Sequence, residues 1–333
     1  MSLGASKRPF RLFRFLLQSV DPVHVGVGGY RLGRVDLPIA RDPATNLPKL
    51  PGTGISGAAR HYAALRYGKP QCAGQGSEEY GHCGDPECPI CYTFGSLRSK
   101  KGEEEGATAG TVRIFDARIL FFPVYSMLGP VWVTSPQTLR DFGLESVPDI
   151  GAGGKVQLLG SSGGESEIKV INFGWLVQEV GGRLEIESLD GDLQVKNLLR
   201  EALGRIEKCT KHVFLVPDEL FGTVVNSNLE VRTSVSIDPE TGAAKEGALF
   251  TYEAIPRATF FWLDVVENDY RDYRGGFPRT DKKDDGNPLG IEWQSPIDVV
   301  TSGIEWFEYL GVGGMSTRGF GRLKKLACRE VQV

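Results

Sequence analysis

A histidine and an aspartate near the N-terminus are the first residues of this sequence whose types and spacing could carry out chemistry. His24 and Asp36 flank a glycine-containing loop, HVGVGGYRLGRVD, and such side chains act as general acid–base groups or bind metal ions. Asp36 is the stronger candidate because it lies between Val35 and Leu37, where a carboxylate is costly unless it has a function. For His24, a structural and a functional interpretation both remain open.

A second glycine cluster, GTGISG, opens a predicted helix. The free N–H groups and the positive dipole end of such a helix suit a phosphate, and arginines contact the same group bidentately. A dinucleotide-binding fingerprint is disfavoured because Pro48 and Pro51 interrupt the segment that should be a buried strand. The alternative is a simple packing turn. The candidate polyanion-binding residues here are Arg31, Arg34, Arg41, Gly52, Thr53, Gly54, Ser56 and Arg60.

A third glycine-rich segment, GVGGMSTRGFGRLKK, lies near the C-terminus. Its glycines, hydroxyls, arginines and aromatic residue suit the clamping of a nucleic-acid backbone. The alternative is a tight glycine turn with solvated charges. The candidate RNA-binding residues of this segment are Gly313, Gly314, Thr317, Arg318, Phe320 and Arg322.

Four of the six cysteines cluster in the sequence, at Cys72, Cys83, Cys88 and Cys91. The CPIC knuckle can bind one side of a tetrahedral ion, and the other two cysteines complete a structural zinc site, with His82 as a possible substitute ligand. A redox pair or reduced, unliganded thiols are the alternatives. A shell of four cysteines leaves no open position and argues against a catalytic zinc.

The overall composition is that of a soluble globular protein with an acidic balance. The net charge is −4 and the hydrophobic fraction is 41%, so nucleic acid can be bound only through local basic patches. Arg11 and Arg14 interrupt the apolar N-terminal run, which therefore does not read as a signal peptide. We expect a cytoplasmic protein.

The hydrophobic pattern predicts an α+β fold with an antiparallel sheet, in a single domain spanning 1–333. We predict a loop at 149–166 and a hairpin around the turn DPETG. The other predicted elements are strands at 9–20, 111–127 and 258–266 and helices at 54–67, 193–208 and 295–310.

Taken together, these motifs resemble the RAMP superfamily of CRISPR proteins, and within it the backbone subunits of type III effector complexes of the Cmr and Csm kinds. The resemblance spans nearly the whole chain. The family often has a lysine in the turn where this chain has Ser56, so one phosphate contact differs. The matching stretches are HVGVGGYRLGRVDLPIARD, LPKLPGTGISGAAR, CPICYTFGS, VRIFDARILFFPV with WVTSP, DPETGAAKEGALFTYE and GVGGMSTRGFGRL.

The resemblance implies a ferredoxin-like, RRM-type core with loop insertions and a projecting β-hairpin thumb at 229–256. The cysteine spacing adds a predicted zinc-binding insertion at 68–95, which the family does not always carry. Copies of the chain would form a filament along a CRISPR RNA together with other effector subunits. Each copy would cleave paired target RNA by in-line attack of a 2′-OH with Mg²⁺ or another divalent cation. Asp36 matches the family's essential aspartate, His24 a loop histidine and Glu253 a thumb acid. The alternative is a non-catalytic RNA-binding backbone subunit.

Overall fold

The computed structural model describes residues 10–28, 35–74, 82–85, 87–98, 106–151, 153–160, 168–210, 212–268 and 292–332. The strands are β1 (Arg11–Ser19), β2 (Lys49–Leu50), β3 (Gly95–Arg98), β4 (Gly106–Ala109), β5 (Val112–Ile114), β6 (Ala117–Ser126), β7 (Gly129–Thr134), β8 (Val156–Gly160), β9 (Val170–Phe173), β10 (Leu176–Glu185), β11 (Val213–Leu215), β12 (Glu230–Ile237), β13 (Ala244–Ala254), β14 (Phe260–Glu267) and β15 (Leu323–Val331). The helices are α1 (Gly52–Arg66), α2 (Pro89–Phe94), α3 (Pro136–Asp141), α4 (Leu193–Ile206), α5 (Asp218–Ser227), α6 (Pro296–Glu305) and α7 (Phe307–Leu310).

Eleven strands form one large sheet whose main order is β15-β1-β14-β6-β7-β11-β8-β10-β9. The predicted α+β class is confirmed, but the prediction of an antiparallel sheet is only partly right, because β11 pairs with β7 and β10 pairs with β8 in parallel. The predicted loop at 149–166 is wrong, since it contains β8. The strands that pair with β8 are β10 and β11, which lie later in the chain. Without these partners in view, the glycines beside β8 favoured a loop.

Hydrophobic cores cover both faces of the sheet, as the alternation along β1 requires. Phe13, Phe15 and Leu17 belong to the core that also contains residues of α1, α5 and α6, whereas Leu16 belongs to the core shared with α3 and α4. Within the described ranges, no helix has the length and apolarity needed to cross a bilayer.

Strands β12 and β13 pair with each other in a separate antiparallel hairpin. The hairpin lies within the predicted range of 229–256, and its function as a thumb stays a prediction. Val231, Val235 and Leu249 are exposed large hydrophobic residues on it. At its base, β13 is anchored to the rest of the protein by isolated bridges from Ile255 to Val23 and from Tyr252 to Leu37.

Candidate active site and metal centre

The base of β13 brings together the three residues that we predicted to be catalytic. The chain on either side of the glycine loop runs along this strand: Leu37 N donates to Thr251 O at 3.0 Å, and Glu253 N donates to Leu37 O at 3.1 Å. These main-chain bonds place Asp36 and His24 beside the hairpin, although more than 200 residues separate Asp36 from its hydrogen-bond partner on β13.

Asp36 is exposed, yet its carboxylate is held firmly by one residue of the hairpin. Asp36 Oδ2 accepts hydrogen bonds from Thr251 N at 2.7 Å and from Thr251 Oγ1 at 2.9 Å. The backbone hydrogen bond from Thr251, followed by the hydroxyl bond, lowers the pKa of Asp36 below its ordinary value. Asp36 is therefore a carboxylate at neutral pH, and among the described residues no hydrogen-bond donor reaches its Oδ1.

His24 is buried where the N-terminal and C-terminal glycine segments meet. His24 Nδ1 lies 2.6 Å from Glu253 O, a carbonyl that can only accept, so Nδ1 carries the proton. Gly314 N donates to His24 O at 2.8 Å. Gly313 has a φ of +89°, and a Cβ on it would lie 2.4 Å from His24 O. The two segments therefore pack closely around His24 only because glycine occupies this position.

Glu253 is half-buried and already has a cationic partner. Arg41 Nη2 donates to Glu253 Oε2 at 2.9 Å, while Arg41 Nε donates to Asn226 Oδ1 at 3.1 Å. Arg41, which we predicted to bind RNA, is thus turned toward the protein in this structure. Its charge neutralises Glu253 and ties the base of the hairpin to α5.

The C-terminal glycine segment packs against the opposite face of the hairpin. Phe320 is only 2% exposed and its ring lies 5.5 Å from that of Tyr252. The predicted stacking aromatic therefore supports the hairpin and offers no face to a base, because the hairpin covers it. Thr317 and Arg318 are exposed, whereas Arg322 forms an ion pair with Asp21.

The glycine-rich start of α1 is used partly for packing. Gly52 N donates to Asp116 Oδ1 at 2.8 Å, and a Cβ on Gly52 would lie 2.6 Å from Ile114 O. At Gly52 the structure therefore favours the packing turn. Thr53 and Gly54 are exposed and Ser56 is half-buried. Arg31 and Arg34 lie outside the described residues.

Arg60, another predicted RNA-binding residue, faces the cysteine cluster. Its Nε donates to Cys72 O at 2.8 Å, and its Nη2 lies 3.1 Å from His82 Nε2. His82 Nδ1 accepts from Leu97 N at 2.9 Å, and its Nε2 contacts Gly74 O. Because both ring nitrogens of His82 have partners in the protein, the histidine does not replace a cysteine in the cluster.

The four clustered cysteines form a group that could hold a metal ion. Their sulfur atoms all lie within 4.8 Å of one another, with Cys72 Sγ at 3.4 Å from Cys83 Sγ and 3.6 Å from Cys91 Sγ. A tetrahedral zinc with bonds of about 2.3 Å requires sulfur–sulfur distances of about 3.8 Å. The observed spacing is therefore close to that of a tetrahedral thiolate site.

The electrostatics of this cluster also favour a cation at its centre. Hydrogen bonds from the neighbouring thiols, that of Cys72 first, lower the pKa of Cys83, while hydrogen bonding raises the pKa of Cys88 and of Cys91. Without a cation, only part of the cluster can ionise, because thiolates at this distance repel one another. A divalent ion would allow all four to bind as thiolates.

Thr251 is the residue of this site that sequence reasoning missed. Its only signal in the sequence is the alternation in TYEAI, which puts Thr251 on the same face of a strand as Glu253. Threonine is common on strands, so that signal did not distinguish it. Its importance became visible only through its contact with Asp36.

Comparison with known protein families gives one match over most of the chain. The profile of the RAMP superfamily matches residues 16–324. The chain belongs to the RAMP superfamily. The matched range contains Asp36, the cysteine cluster, the hairpin and nearly all of the C-terminal glycine segment.

Two relatives carry related names. The chain is 28% identical over 315 residues to the CRISPR system Cmr endoribonuclease Cmr4 of Pyrococcus furiosus, with 92% of each chain covered. It is 36% identical over 76 residues to the CRISPR system Cms endoribonuclease Csm3 of Methanothermobacter thermautotrophicus, which covers 22% of this chain and 28% of that relative.

Solved structures share the fold at lower identity. A chain of Type III-B Cmr-beta in the apo state superposes with a TM-score of 0.58 at 15% identity, covering 97% of this chain and 98% of that chain. Oligomeric Cmr4 from Pyrococcus furiosus superposes with a TM-score of 0.57 at 20% identity, covering 97% and 99%. These matches confirm the predicted fold family.

Proposed function

We propose that this protein is a CRISPR RNA-binding backbone subunit of a type III effector complex and that it cleaves target RNA paired with the guide. One observation carries the catalytic part: Asp36 is an exposed, ionised carboxylate fixed at the base of a separate β-hairpin. Relatedness over 92% of the chain to a protein named as a Cmr endoribonuclease supports the same assignment.

The cleavage reaction is the in-line attack of a ribose 2′-OH on the adjacent phosphate. The new bond to O2′ gives a 2′,3′-cyclic phosphate, the bond to O5′ breaks, and the leaving 5′ oxygen gains the proton that the 2′-OH loses. An A-form duplex keeps these atoms out of line, so the reaction needs one nucleotide displaced from the stack and held in a near-attack geometry. The hairpin, used as a thumb, displaces that nucleotide next to Asp36. Glu253 and His24 keep the hairpin and the glycine segments in place around it.

Asp36 suits binding of a divalent cation better than it suits proton abstraction. A general base is most effective when its pKa lies near the working pH, whereas hydrogen bonds from Thr251 lower the pKa of Asp36. An exposed carboxylate oxygen without a donor, such as Oδ1, fits the oxygen preference of hard cations. When bound there, Mg²⁺ or another divalent cation would stabilise charge on the scissile phosphate.

The RNA-binding surface combines the exposed parts of the two glycine segments, both of which approach Val25. Thr53 and Gly54 offer a helix start, and Gly313 and Gly314 offer exposed main chain. Thr317 and Arg318 extend this surface toward the hairpin, since Arg318 lies 5.3 Å from the Phe250 ring. Arg31 and Arg34, which lie between His24 and Asp36 in the sequence, stay predicted RNA-binding residues. Copies of the chain bind side by side on the guide as a filament, with other effector subunits.

The cysteine cluster binds a structural zinc ion. Four thiol ligands with tetrahedral spacing are typical of closed zinc sites. The ion holds Cys72, Cys88 and Cys91 against α1 and α6, whose residues share a small core with these cysteines.

Substitution of Asp36 tests the catalytic proposal. In a reconstituted complex, we expect Asp36→Asn to lower the rate of target cleavage by about 100-fold or more, with binding of the guide and target unchanged. Unchanged cleavage would instead support the alternative of a non-catalytic backbone subunit. For RNA binding itself, we expect the affinity for single-stranded RNA to fall steeply with added salt; a protein unrelated to RNA would show no such dependence.

A further inference from the structure

We infer that Thr251 is the positioning residue of the reaction. Its hydrogen bonds with Asp36, which we call the clasp, occupy Oδ2 of the carboxylate and leave Oδ1 for the RNA or its cation. This inference rests on the proposed function, since it assigns a task within the proposed cleavage site. The carboxylate of Asp36 is thus held in place by the base of the hairpin and not by the large sheet.

The clasp is reciprocal and uses three hydrogen bonds between two residues. Thr251 N and Oγ1 donate to Asp36 Oδ2 at 2.7 Å and 2.9 Å, and Asp36 N donates back to Thr251 Oγ1 at 3.2 Å. The hydroxyl therefore accepts from the main chain and donates to the side chain of the same residue. This pattern fixes the χ angles of Asp36, which would otherwise be free at an exposed position.

The asymmetry of the clasp decides which oxygen can react. Both donors go to Oδ2, so its lone pairs are largely committed to the protein. Oδ1 has no donor among the described residues and keeps its full capacity to bind a cation or a hydroxyl. A carboxylate presented by one oxygen in a fixed direction is better organised for catalysis than a freely rotating one.

Contacts on the opposite face of the hairpin fix the position of Thr251. On the opposite face of β13, Tyr252 packs against Phe320 at 5.5 Å and against His24 at 6.1 Å. The main chain of Thr251 is fixed from the other side by Leu37 N, which donates to Thr251 O at 3.0 Å. The position of the Asp36 carboxylate is therefore coupled to the position of β13.

The inference can be tested with two substitutions of Thr251 in the assembled complex. Thr251→Val keeps the backbone donor and the volume but removes the hydroxyl, whereas Thr251→Ser keeps the hydroxyl. We expect Thr251→Val to reduce the cleavage rate at saturating target by about tenfold or more. Thr251→Ser should retain most of the wild-type rate. We expect the dissociation constant for the target and the amount of bound guide RNA to stay within about twofold of the wild type. The melting temperature should stay within a few degrees of the wild type.

Asp36→Asn, measured in parallel, separates the two ways of failing. If Asp36→Asn abolishes cleavage while Thr251→Val cleaves like the wild type, the clasp is unnecessary and the inference is overturned. The inference is also overturned if Thr251→Ser is as slow as Thr251→Val, or if Thr251→Val weakens target binding as much as it slows cleavage. If Asp36→Asn itself cleaves normally, the proposed function fails first.

Discussion

The cysteine cluster and the Asp36 site are both built from few side chains, but they differ in how complete they are. Three of the four cysteines are buried, and their sulfurs already have nearly the spacing that a tetrahedral ion needs. Asp36 is exposed, and one of its carboxylate oxygens has no partner among the described residues. The cysteine cluster has four ligands that would close around an ion, whereas Asp36 keeps one carboxylate oxygen for the proposed RNA site.

The difference also lies in where the residues come from. The cysteines lie within 20 residues of one another in the sequence, so the proposed metal site depends on one short stretch of the chain. Asp36 and Thr251 are 215 residues apart, so their contact depends on the whole sheet being formed. We therefore expect metal removal to affect the cysteine cluster most. We expect substitutions in the packing around the hairpin to affect the Asp36 site most.

Metal removal should give the largest effect on stability. We expect a strong chelator, or Cys91→Ser, to cause loss of the fold of the 72–91 segment, since structural zinc contributes about 10 kcal/mol or more to such units. Metal analysis of the purified protein and its thermal unfolding measure this. Zinc far below one equivalent in a stable, folded protein would contradict it. Cys209→Ser is the matched control, since Cys209 is an exposed cysteine outside the cluster.

Loss of Phe320 should produce the next largest effect on stability. We expect Phe320→Ala to destabilise the protein by about 3 kcal/mol, as for other buried phenylalanines, and to slow cleavage because the hairpin base loses its support. Chemical unfolding and the target-cleavage assay measure the two effects. Phe320→Leu should retain most of both. Full stability with weakened RNA binding would instead show that the ring contacts a base.

Breaking the pair between Arg41 and Glu253 should have a moderate effect. Both side chains are half-buried, so Arg41→Ala leaves a carboxylate without its cation, at a cost of about 1–3 kcal/mol. We expect a lower unfolding free energy for Arg41→Ala and partial recovery in the double variant with Glu253→Gln. Equal RNA affinity across the three proteins would separate this packing effect from a direct RNA contact by Arg41.

Mild acidification should lower the metal content of the cysteine cluster before it protonates Asp36. Thiolates must stay deprotonated to bind metal, so we expect the metal content to fall as the pH is lowered to about 5. Hydrogen bonds from Thr251 lower the pKa of Asp36 below its ordinary value of 3.8, so any stability that this carboxylate contributes is lost only at still lower pH. Metal analysis and the ¹³C shift of the Asp36 carboxyl across this range check both statements; a carboxyl that titrates near pH 5 would contradict the second.

Much of the fold could be predicted because the signals were local. The apolar alternation of β1, the capped start of α6 and the turn between β12 and β13 each depend on a few adjacent residues. The strand β8 was missed because its partners, β11 and β10, lie later in the chain. Sequence spacing carries no information about such pairings.

The same limit applies to the site. The cysteines were recognised from spacing alone, His24 and Asp36 from their residue types beside the glycine loop, and Glu253 from the family resemblance. Arg41 and Arg60 were placed in the RNA-binding set because they are near glycines in the sequence, yet in the structure they bind Glu253 and the main chain of Cys72. Thr251 had no distinguishing signal, since a threonine on a strand acquires a function only through its neighbour in space.

The position of the last strand has a consequence for biosynthesis. β1, the first strand of the chain, lies between β14 and β15, and Gly314 reaches His24 from the segment just before β15. A nascent chain thus keeps one edge of β1 unpaired until β15 has been synthesised. A polypeptide truncated before β15 would lack this strand and leave that edge of β1 without its partner.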